Sequence, residues 1–200
     1  MLDKYGTGRD PYCYPGTRTL RNRLEIIDEV VFNQAERAVS ASAANEIEYC
    51  PPPYDLAALQ KIHRQLFDEL YDWAGEIRTI DISKDTTRFC NVTRIEPEAS
   101  KLLQACARKN WLSNSPDRGA LVSAVAELFG DLNMVHPFRE GNGRAQRILF
   151  EHLIIHAGYE ISWWGVGPQE WAQANIDAVV CNYAAMERVF ERCIGQPISD

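Results

Sequence analysis

The chain has 200 residues, of which 46% are apolar and 24% charged, and these values fit one sizeable soluble domain. Its net charge of −7, from 21 basic and 28 acidic residues, argues against a nucleic-acid-binding protein, which usually carries a basic excess. The polar opening Met1–Tyr12 is unlike a signal peptide, and no apolar run approaches the ~20 residues of a membrane helix, so we expect a cytoplasmic protein without membrane contact.

The first third of the chain is predicted to form an irregular arm and two helices. Glycines and prolines within residues 1–18 indicate an N-terminal arm without regular structure. Apolar residues recur at three- and four-residue spacing over Leu20–Ala38, which predicts an amphipathic helix. Asp55 follows three prolines and is suited to cap a second helix that extends to Leu70.

A short β-hairpin is predicted over residues 77–95. Ile77–Ile82 alternates apolar and polar side chains, and Phe89–Ile95 is also rich in residues that favour strands. The polar stretch Ser83–Arg88 lies between them and is expected to form the turn.

Apolar periodicity predicts further helices in the second half of the chain. Ser115 is expected to cap one of them, with Pro116 in its first turn and Asp117 at the positive end of the helix dipole. These helices are Ile95–Ala107, one from Ser115 towards Val135, one that ends at Gly158, and one from Pro168 to Val189. The sequence therefore predicts one mostly helical domain over residues 1–200, with one hairpin.

The segment 136–147, between two apolar helices, concentrates side chains suited to phosphate chemistry. Gly141 and Gly143 have no Cβ, so their N–H groups can approach a ligand closely, and they precede a helix whose N-terminus favours phosphate. Arg144 and Arg147 are three positions apart on one helical face, so both can reach the same polyphosphate.

Two more side chains of this segment supply a metal ligand and a base. Glu140 offers a hard oxygen to Mg²⁺, which binds through few carboxylates together with phosphate oxygens. His136 ends the preceding helix and can take up a proton near neutral pH. An Asn-Gly turn or a His-Pro pair alone is usually structural. Their concentration in one loop, with an acid and two aligned arginines, indicates a phosphate site.

This segment resembles the signature of the Fic family, H-x-F-x-[D/E]-G-N-G-R-x-x-R, and every defined position matches. The stretches Asp10–Gly16 and Trp73–Arg78 extend the resemblance to short bacterial Fic proteins over nearly the whole chain. The resemblance implies an all-α Fic fold, a helical bundle in which the motif loop joins two central helices. It also implies that the hairpin forms a flap beside the active site.

The resemblance further implies a protein adenylyltransferase that moves AMP from ATP, with Mg²⁺, to a hydroxyl side chain of a target protein. His136 would deprotonate that hydroxyl, Glu140 would hold Mg²⁺, and Phe138 would anchor the loop in the core. Arg144 would contact the β-phosphate side and Arg147 the γ-phosphate. The full set of implied nucleotide-binding residues is Gly141, Asn142, Gly143, Arg144 and Arg147.

Two motif positions vary within the family. Many members have Asp where this chain has Glu140, a change that the family tolerates. The kinase-like Doc toxins have Ala in place of the first motif glycine, so Gly141 favours AMP transfer over phosphate transfer. The motif leaves open UMP or phosphocholine as the transferred group. A non-catalytic scaffold also stays an alternative, although the intact His136, Glu140 and Arg147 argue against it.

In the family, the flap pairs with an extended target segment by adding a strand, and exposed strand edges favour such pairing. An ordinary exposed hairpin is the structural alternative. The flap residues expected to hold the hydroxyl-bearing segment are Asp85, Thr86, Thr87, Arg88, Phe89 and Cys90.

Fic enzymes are commonly restrained by a helix with the pattern [S/T]-x-x-x-E-[G/N], whose Glu pairs with the second motif arginine. The nearest match in this chain, Ser42 with Glu46, fails because Ile47 follows. We therefore expect a separate antitoxin protein that acts on Arg147, with this chain as the toxin. Short toxins similar to this one modify the ATPase subunits of DNA gyrase and topoisomerase IV, which are the implied targets.

Several weaker signals accompany the motif. His152 and His156 are four apart on a helix and could face a metal together, but the helix dipole also explains His156. His63 is expected to be structural or solvent-facing, and Trp171 and Asn175 are candidates to border the adenine pocket. The six scattered cysteines form no C-x-x-C pair, so we expect buried, reduced thiols.

Overall fold

The computed structural model describes residues 10–84 and 87–198, and this part of the chain is mostly helical, as predicted. Its α-helices are α1 (Glu29–Asn45), α2 (Leu56–Phe67), α3 (Ile95–Arg108), α4 (Arg118–Val135), α5 (Asn142–His156), α6 (Pro168–Ala178) and α7 (Ala184–Cys193). Its strands are β1 (Ser83–Lys84), β2 (Thr87–Arg88), β3 (Tyr159–Ile161) and β4 (Ile194–Pro197). Strands β1 and β2 pair antiparallel, as do β3 and β4.

Helices α4 and α5 form the centre of the bundle. Leu121, Val125 and Leu132 of α4 are fully buried, and α4 packs against α3, α5, α6 and α7. Ala145 and Ile154 of α5 are equally buried, and α2 also packs against α5. A helix that is apolar on nearly all sides needs this central position. The loop between α4 and α5 is therefore fixed at both ends by the core.

The first helix begins nine residues later than the apolar spacing predicts. Helix α1 starts at Glu29, where the carboxylate of Asp28 accepts hydrogen bonds of 2.9 Å from the N–H groups of Val30 and Val31. Before it, the Asn22 amide donates to the carbonyls of Leu20 and Ile26 at 2.9 and 2.8 Å. These local bonds replace helical ones, as asparagine side chains commonly do outside helices. The predicted start at Leu20 is wrong for this reason.

Two other predicted boundaries also shift. Asp117, not Ser115, caps α4: its carboxylate accepts from Ala120 N–H at 2.8 Å, while the Ser115 hydroxyl donates to the Leu112 carbonyl at 2.7 Å. The single helix expected after Pro168 is interrupted between α6 and α7, because Cys181 adopts a left-handed φ of 58°. Strands β3 and β4, which have only three and four residues, were not predicted from the sequence.

The hairpin is confirmed as an antiparallel pair but is shorter than residues 77–95. Ser83 pairs with Arg88 and Lys84 with Thr87, so the strands lie within the polar stretch expected to be the turn. Residues 77–82 form no strand, since the backbone of Arg78 instead donates to the carbonyl of Pro137 at 2.9 Å. Residues 92–94 form a 3₁₀ turn that leads into α3.

The six cysteines all carry free thiols, in three kinds of environment. Cys13, Cys106 and Cys193 are buried, Cys90 is half-buried, and Cys50 and Cys181 are exposed. The expectation of burial is therefore wrong for Cys50 and Cys181, which lie in loops that no helix covers.

No helix in the described part of the chain combines the length and the apolar character needed to cross a membrane.

Candidate active site

The loop between α4 and α5 reverses the chain through two left-handed residues. His136 ends α4 with φ 47° and ψ 62°, and Gly141 precedes α5 with φ 78° and ψ 3°. Between them, the Asn142 amide accepts from Phe138 N–H and donates to the Phe138 carbonyl, both at 2.8 Å. The Phe138 side chain is fully buried. These contacts agree with the anchoring role expected of Phe138, and they occupy the side chain of Asn142 within the loop.

Gly141 lies against Phe67 of α2. A Cβ atom at position 141 would lie 2.3 Å from Cε2 of Phe67, and the φ of +78° is itself unfavourable for other residues. Gly143 differs, because a Cβ there would meet nothing within 4 Å. The space beside Gly143 is therefore open to a ligand, whereas the glycine at 141 is required by the fold.

His63, on α2, holds the motif loop in place. Its Nε2 donates to the Glu140 carbonyl and its Nδ1 accepts from Gly75 N–H, both at 2.9 Å, and its ring stacks on Phe138 at a centroid distance of 3.9 Å. Burial lowers the pKa of His63 to about 4, so the ring is neutral at physiological pH. Of the two expectations for His63, the structural role is confirmed and the solvent-facing position is wrong. Its contact with the motif depends on packing that no local sequence signal indicates.

Arg139 occupies an undefined position of the motif, and no role was predicted for it from the sequence. Its side chain is buried, and its Nε and Nη2 lie 2.9 and 2.5 Å from Oδ2 of Asp10. This ion pair joins the described part of the N-terminal arm to the motif loop. A sequence signal for this ion pair was present, because Asp10–Gly16 and the motif both resemble the same family.

His136 lies between α4 and the flap. Its Nδ1 is 3.0 Å from the Asn133 carbonyl, and its ring stacks on Phe89 with a centroid distance of 3.8 Å and an interplanar angle of 14°. We assign the Nδ1 proton to this hydrogen bond, because a carbonyl can only accept. That tautomer makes Nε2 the basic nitrogen.

An open cleft lies in front of the loop. Its volume is about 1140 Å³, and its walls are the arm, one face of α1, and Glu140, Arg144 and Arg147 of the motif. The N-terminus of α5 begins at this cleft without a side-chain cap. Uncapped N–H groups at a helix N-terminus favour an anion. The cleft can therefore accommodate a phosphate-bearing ligand of nucleotide size.

The two motif arginines differ in their surroundings. Arg144 donates from Nη1 to Glu36 at 2.8 Å and to Ser40 at 2.7 Å, and from Nη2 to Glu36 at 2.5 Å. Its guanidinium also lies over the Phe67 ring, with Cζ 4.7 Å from the centroid. Arg144 is therefore held by α1 and α2 before any ligand binds.

Arg147 has no such partner: in residues 10–84 and 87–198 it makes no hydrogen bond and no ion pair. Its Cζ lies 5.8 Å from the ring centroid of Trp171. Burial and the charge of Arg144 lower the pKa of Arg147, but a guanidinium stays protonated in proteins. A half-buried cation that lines a cleft and forms no ion pair there favours the binding of an anion.

Glu140 lines the cleft and is half-buried; its Oε1 accepts from Gly141 N–H at 3.2 Å. Within the described residues, no group of three His, Cys, Asp or Glu side chains could hold a metal by itself. One carboxylate beside a phosphate cradle nevertheless fits Mg²⁺, which commonly takes one or two carboxylates together with phosphate oxygens.

The flap lies beside His136. Thr87 and Arg88 form β2, Phe89 covers the His136 ring, and the Cys90 N–H donates to the Met134 carbonyl at 3.0 Å. The remaining predicted flap residues, Asp85 and Thr86, lie outside the described residues. The structure therefore brings Phe89 next to the predicted base and bonds the following residue, Cys90, to the end of α4.

His152, Trp171 and Asn175, for which the sequence gave weaker signals of function, make contacts within the protein. His152 is buried, with its ring 5.7 Å from that of Tyr49, and it belongs to no metal-binding group within the described part of the chain. Trp171 lies beside Arg147, and the Asn175 amide donates to the Trp171 carbonyl at 2.8 Å within α6.

Known proteins resemble this chain over nearly its full length. Residues 53–154 match the sequence profile of the Fic/DOC family. A relative from Escherichia coli strain K12, named probable protein adenylyltransferase Fic, is 39% identical over 98% of both chains. Protein adenylyltransferase VbhT from Bartonella schoenbuchensis is 35% identical over 96% of this chain and 40% of its own length. The solved structure of BepC from Bartonella tribocorum with bound AMPPNP superposes with a TM-score of 0.85 at 27% identity, covering 94% of this chain and 97% of that one.

Proposed function

This chain belongs to the Fic/DOC family, and we propose that it transfers AMP from ATP to a hydroxyl side chain of a target protein. The name protein adenylyltransferase, which its relatives carry, supports this reaction class. The observation that carries the proposal for this chain is Arg147, a cation that lines the cleft and makes no hydrogen bond or ion pair within the described residues. The BepC structure, which contains a nucleotide analogue, supports ATP as co-substrate.

In the proposed reaction, Nε2 of His136 takes the proton of the target hydroxyl. The hydroxyl oxygen then attacks the α-phosphorus in line, and the bond to pyrophosphate breaks. The N–H groups at the start of α5, including those of Asn142 and Gly143, hold the phosphates together with Arg147. The side chain of Asn142 is occupied within the loop, so its contribution comes from the main chain.

Mg²⁺ is the proposed metal, and Glu140 is the residue that would hold it beside the phosphates. When bound there, Mg²⁺ neutralises phosphate charge and favours departure of pyrophosphate. The role of Glu140 follows from its carboxylate lining the same cleft as Arg144 and Arg147.

Phosphate transfer is the strongest alternative, and Gly141 argues against it. The kinase-like branch has Ala at this position, whereas Phe67 leaves no room for a Cβ here. UMP and phosphocholine donors share a diphosphate core with ATP, so the motif accommodates them equally. Only a direct comparison of labelled donors separates these reactions.

We further propose that this chain is the toxin of a toxin–antitoxin pair, with the gyrase and topoisomerase IV ATPase subunits as targets. Glu46, of the failed inhibitory pattern, is exposed just after α1, and no glutamate of the described residues lies within ion-pair distance of Arg147. An intramolecular inhibitor of Arg147 thus has no support within residues 10–84 and 87–198, which favours inhibition by a separate protein. The gyrase assignment rests on the resemblance to short bacterial toxins alone.

The test uses purified protein, Mg²⁺, a bacterial lysate and ATP labelled either on the α- or on the γ-phosphate. We expect protein labelling from the α-label only, and its loss in His136→Ala. UTP labelled on the α-phosphate and labelled CDP-choline are offered in parallel.

Each outcome of this test assigns one reaction. Labelling from the γ-phosphate would show a kinase, and labelling from UTP or CDP-choline would show another donor. Equal labelling by wild type and His136→Ala would refute the assigned base. Purified gyrase and topoisomerase IV ATPase subunits, added in place of the lysate, test the target assignment separately.

A further inference from the structure

We propose that Arg78, which lies outside the motif, is a positioning residue that holds the catalytic base and the flap in one fixed arrangement. This inference rests on the proposed function, because it assigns Arg78 a part in AMP transfer to a docked target. The evidence is the set of main-chain carbonyls that the Arg78 guanidinium joins.

The first set of contacts fixes the turn that carries His136. Nε of Arg78 donates to the His136 carbonyl at 2.8 Å, and the Arg78 N–H donates to the Pro137 carbonyl at 2.9 Å. Nη2 also reaches the Val135 carbonyl at 3.4 Å. His136 has a left-handed φ of 47°, a conformation that non-glycine residues keep only where surrounding contacts hold it. Arg78 supplies such contacts on both sides of His136.

The second set of contacts fixes the base of the flap. Nη2 of Arg78 donates to the Cys90 carbonyl at 2.5 Å, and Nη1 donates to the Ile80 carbonyl at 2.6 Å. These two residues bracket the hairpin, and Cys90 directly follows Phe89, whose ring stacks on His136. One guanidinium therefore connects both ends of the flap to the turn that carries the base.

The chemistry of the site requires an arginine. The Arg78 side chain is fully buried, and the nearest carboxylate oxygen, from Asp81, is 3.9 Å away. The Asp81 carboxylate is itself occupied by Val92 N–H and the Asn91 amide, both at 2.8 Å. Main-chain carbonyls thus compensate for most of the buried charge. A planar fork with five N–H groups can span these separated acceptors, whereas the single ammonium of lysine cannot.

This arrangement matters for the transfer step. A target segment paired with the flap would present its hydroxyl to Nε2 of His136, so the distance between flap and base sets the distance between hydroxyl and base. A displacement of about 1 Å in such an arrangement can cost on the order of a hundredfold in rate. Loss of the Arg78 fork should therefore slow transfer without weakening nucleotide binding.

The experiment compares Arg78→Lys with the matched control Arg118→Lys. Arg118 is also an arginine that donates to main-chain carbonyls, with Nε 3.1 Å and Nη2 2.6 Å from the Ile194 carbonyl. It begins α4, about 25 Å from His136 by the rise of the helix. Both variants lose one guanidinium fork, but only Arg78→Lys loses the connection to the site.

Three quantities are measured for each variant and the wild type. They are the rate of lysate labelling from α-labelled ATP, the Kd of AMPPNP, and the NMR shift of the His136 Hε1 proton, which is identified by its absence in His136→Ala. The stacked Phe89 ring shifts this signal upfield in the wild type. In Arg78→Lys we expect a labelling rate about tenfold to a hundredfold lower, a Kd within about twofold, and loss of the upfield shift. Arg118→Lys should keep all three values.

The inference is overturned if Arg78→Lys keeps the wild-type rate and the His136 shift, or if both variants lose rate in proportion to their thermal stability. Arg78→Gln, which buries no charge, replaces Arg78→Lys if the lysine variant does not fold. If the wild type transfers no α-label, the proposed function fails, while the His136 shift still decides whether Arg78 positions the base.

Discussion

Arg144 and Arg147 are three residues apart and match one motif, yet their side chains are held differently. Sequence spacing correctly predicts that both face the same cleft. It cannot predict that Glu36 binds Arg144, because that contact joins residues 108 positions apart. The two positions therefore respond differently to the loss of charge.

Replacing each arginine with methionine separates these roles. Arg147→Met should weaken ATP binding by roughly tenfold to a hundredfold and leave stability nearly unchanged, because no hydrogen bond or ion pair within the described residues is lost. Arg144→Met should also weaken binding, and it should lower the free energy of unfolding by about 2 kcal/mol, because Glu36 stays behind in a mostly buried position. Calorimetric titration with ATP and urea unfolding measure the two effects. Equal stability losses in both variants would contradict the assignment.

His63 makes stability depend on pH. Its pKa is lowered to about 4 in the folded protein by burial, against about 6.5 in the unfolded chain. As the pH falls, the unfolded state therefore takes up a proton at a higher pH than the folded state does. The contribution of His63 to the free energy of unfolding is complete above pH 6.5 and is lost as the pH falls towards 4. The loss amounts to about 3 kcal/mol.

Urea unfolding of the wild type and His63→Gln between pH 7 and pH 4 measures this loss. Glutamine keeps an N–H donor near the Glu140 carbonyl but does not titrate. The free energy of unfolding should fall more steeply with decreasing pH in the wild type. Parallel curves would show that His63 is not the titrating group.

At the scale of elements, the flap and the motif loop meet through Phe89 and His136. The sequence indicates a hairpin but places its strands farther from the turn than the structure does. It cannot show that the backbone before β1 bonds to the motif loop. A hairpin of two residues per strand has little stability of its own. Its position depends on these contacts with the loop.

Changing Thr87, Arg88 and Phe89 to glycine should abolish labelling of target protein and leave AMPPNP affinity within about twofold. In the proposed mechanism, the flap holds the target segment, whereas the N-terminus of α5 and its arginines bind the phosphates. Lys101→Gly, an exposed position in the middle of α3, provides a control for glycine substitution away from the site. Undiminished target labelling in the flap variant would refute the docking role.

At the scale of the whole molecule, the net charge of −7 opposes the approach of a nucleotide. Within the cleft, the charge of Glu36 offsets that of Arg144, and Glu140 adds a second negative charge near Arg144. The carboxylates that line the cleft thus offset part of the positive charge that faces the phosphates of ATP. We expect removal of Mg²⁺ with EDTA to weaken ATP binding by at least about tenfold.

Glu140→Gln is the matched variant for this measurement. It removes one negative charge, so ATP binding without Mg²⁺ should become stronger than in the wild type, and the gain on adding Mg²⁺ should become smaller. Calorimetric titrations with and without EDTA measure both values. An unchanged response to Mg²⁺ would exclude Glu140 as the metal ligand.

The sequence predicted what is local and missed what depends on distant packing. The motif loop, its flanking helices and the cap at Asp55 follow from neighbouring residues and are confirmed. The support that His63 and Asp10 give the loop joins segments 77 and 129 residues apart, and no spacing rule reaches across such distances. The late start of α1 was missed because a local asparagine network competed with an apolar pattern.

The contact between Gly141 and Phe67 also constrains how this protein can evolve. The substitution that marks the kinase-like branch, alanine at position 141, would place a Cβ 2.3 Å from the Phe67 ring. Phe67 in turn lies beneath Arg144 and beside His63, so it cannot shrink without disturbing both. In this chain, alanine at position 141 would therefore need a second, compensating change at Phe67. The aromatic ring on α2 thus makes the effect of a substitution at position 141 depend on the residue at position 67.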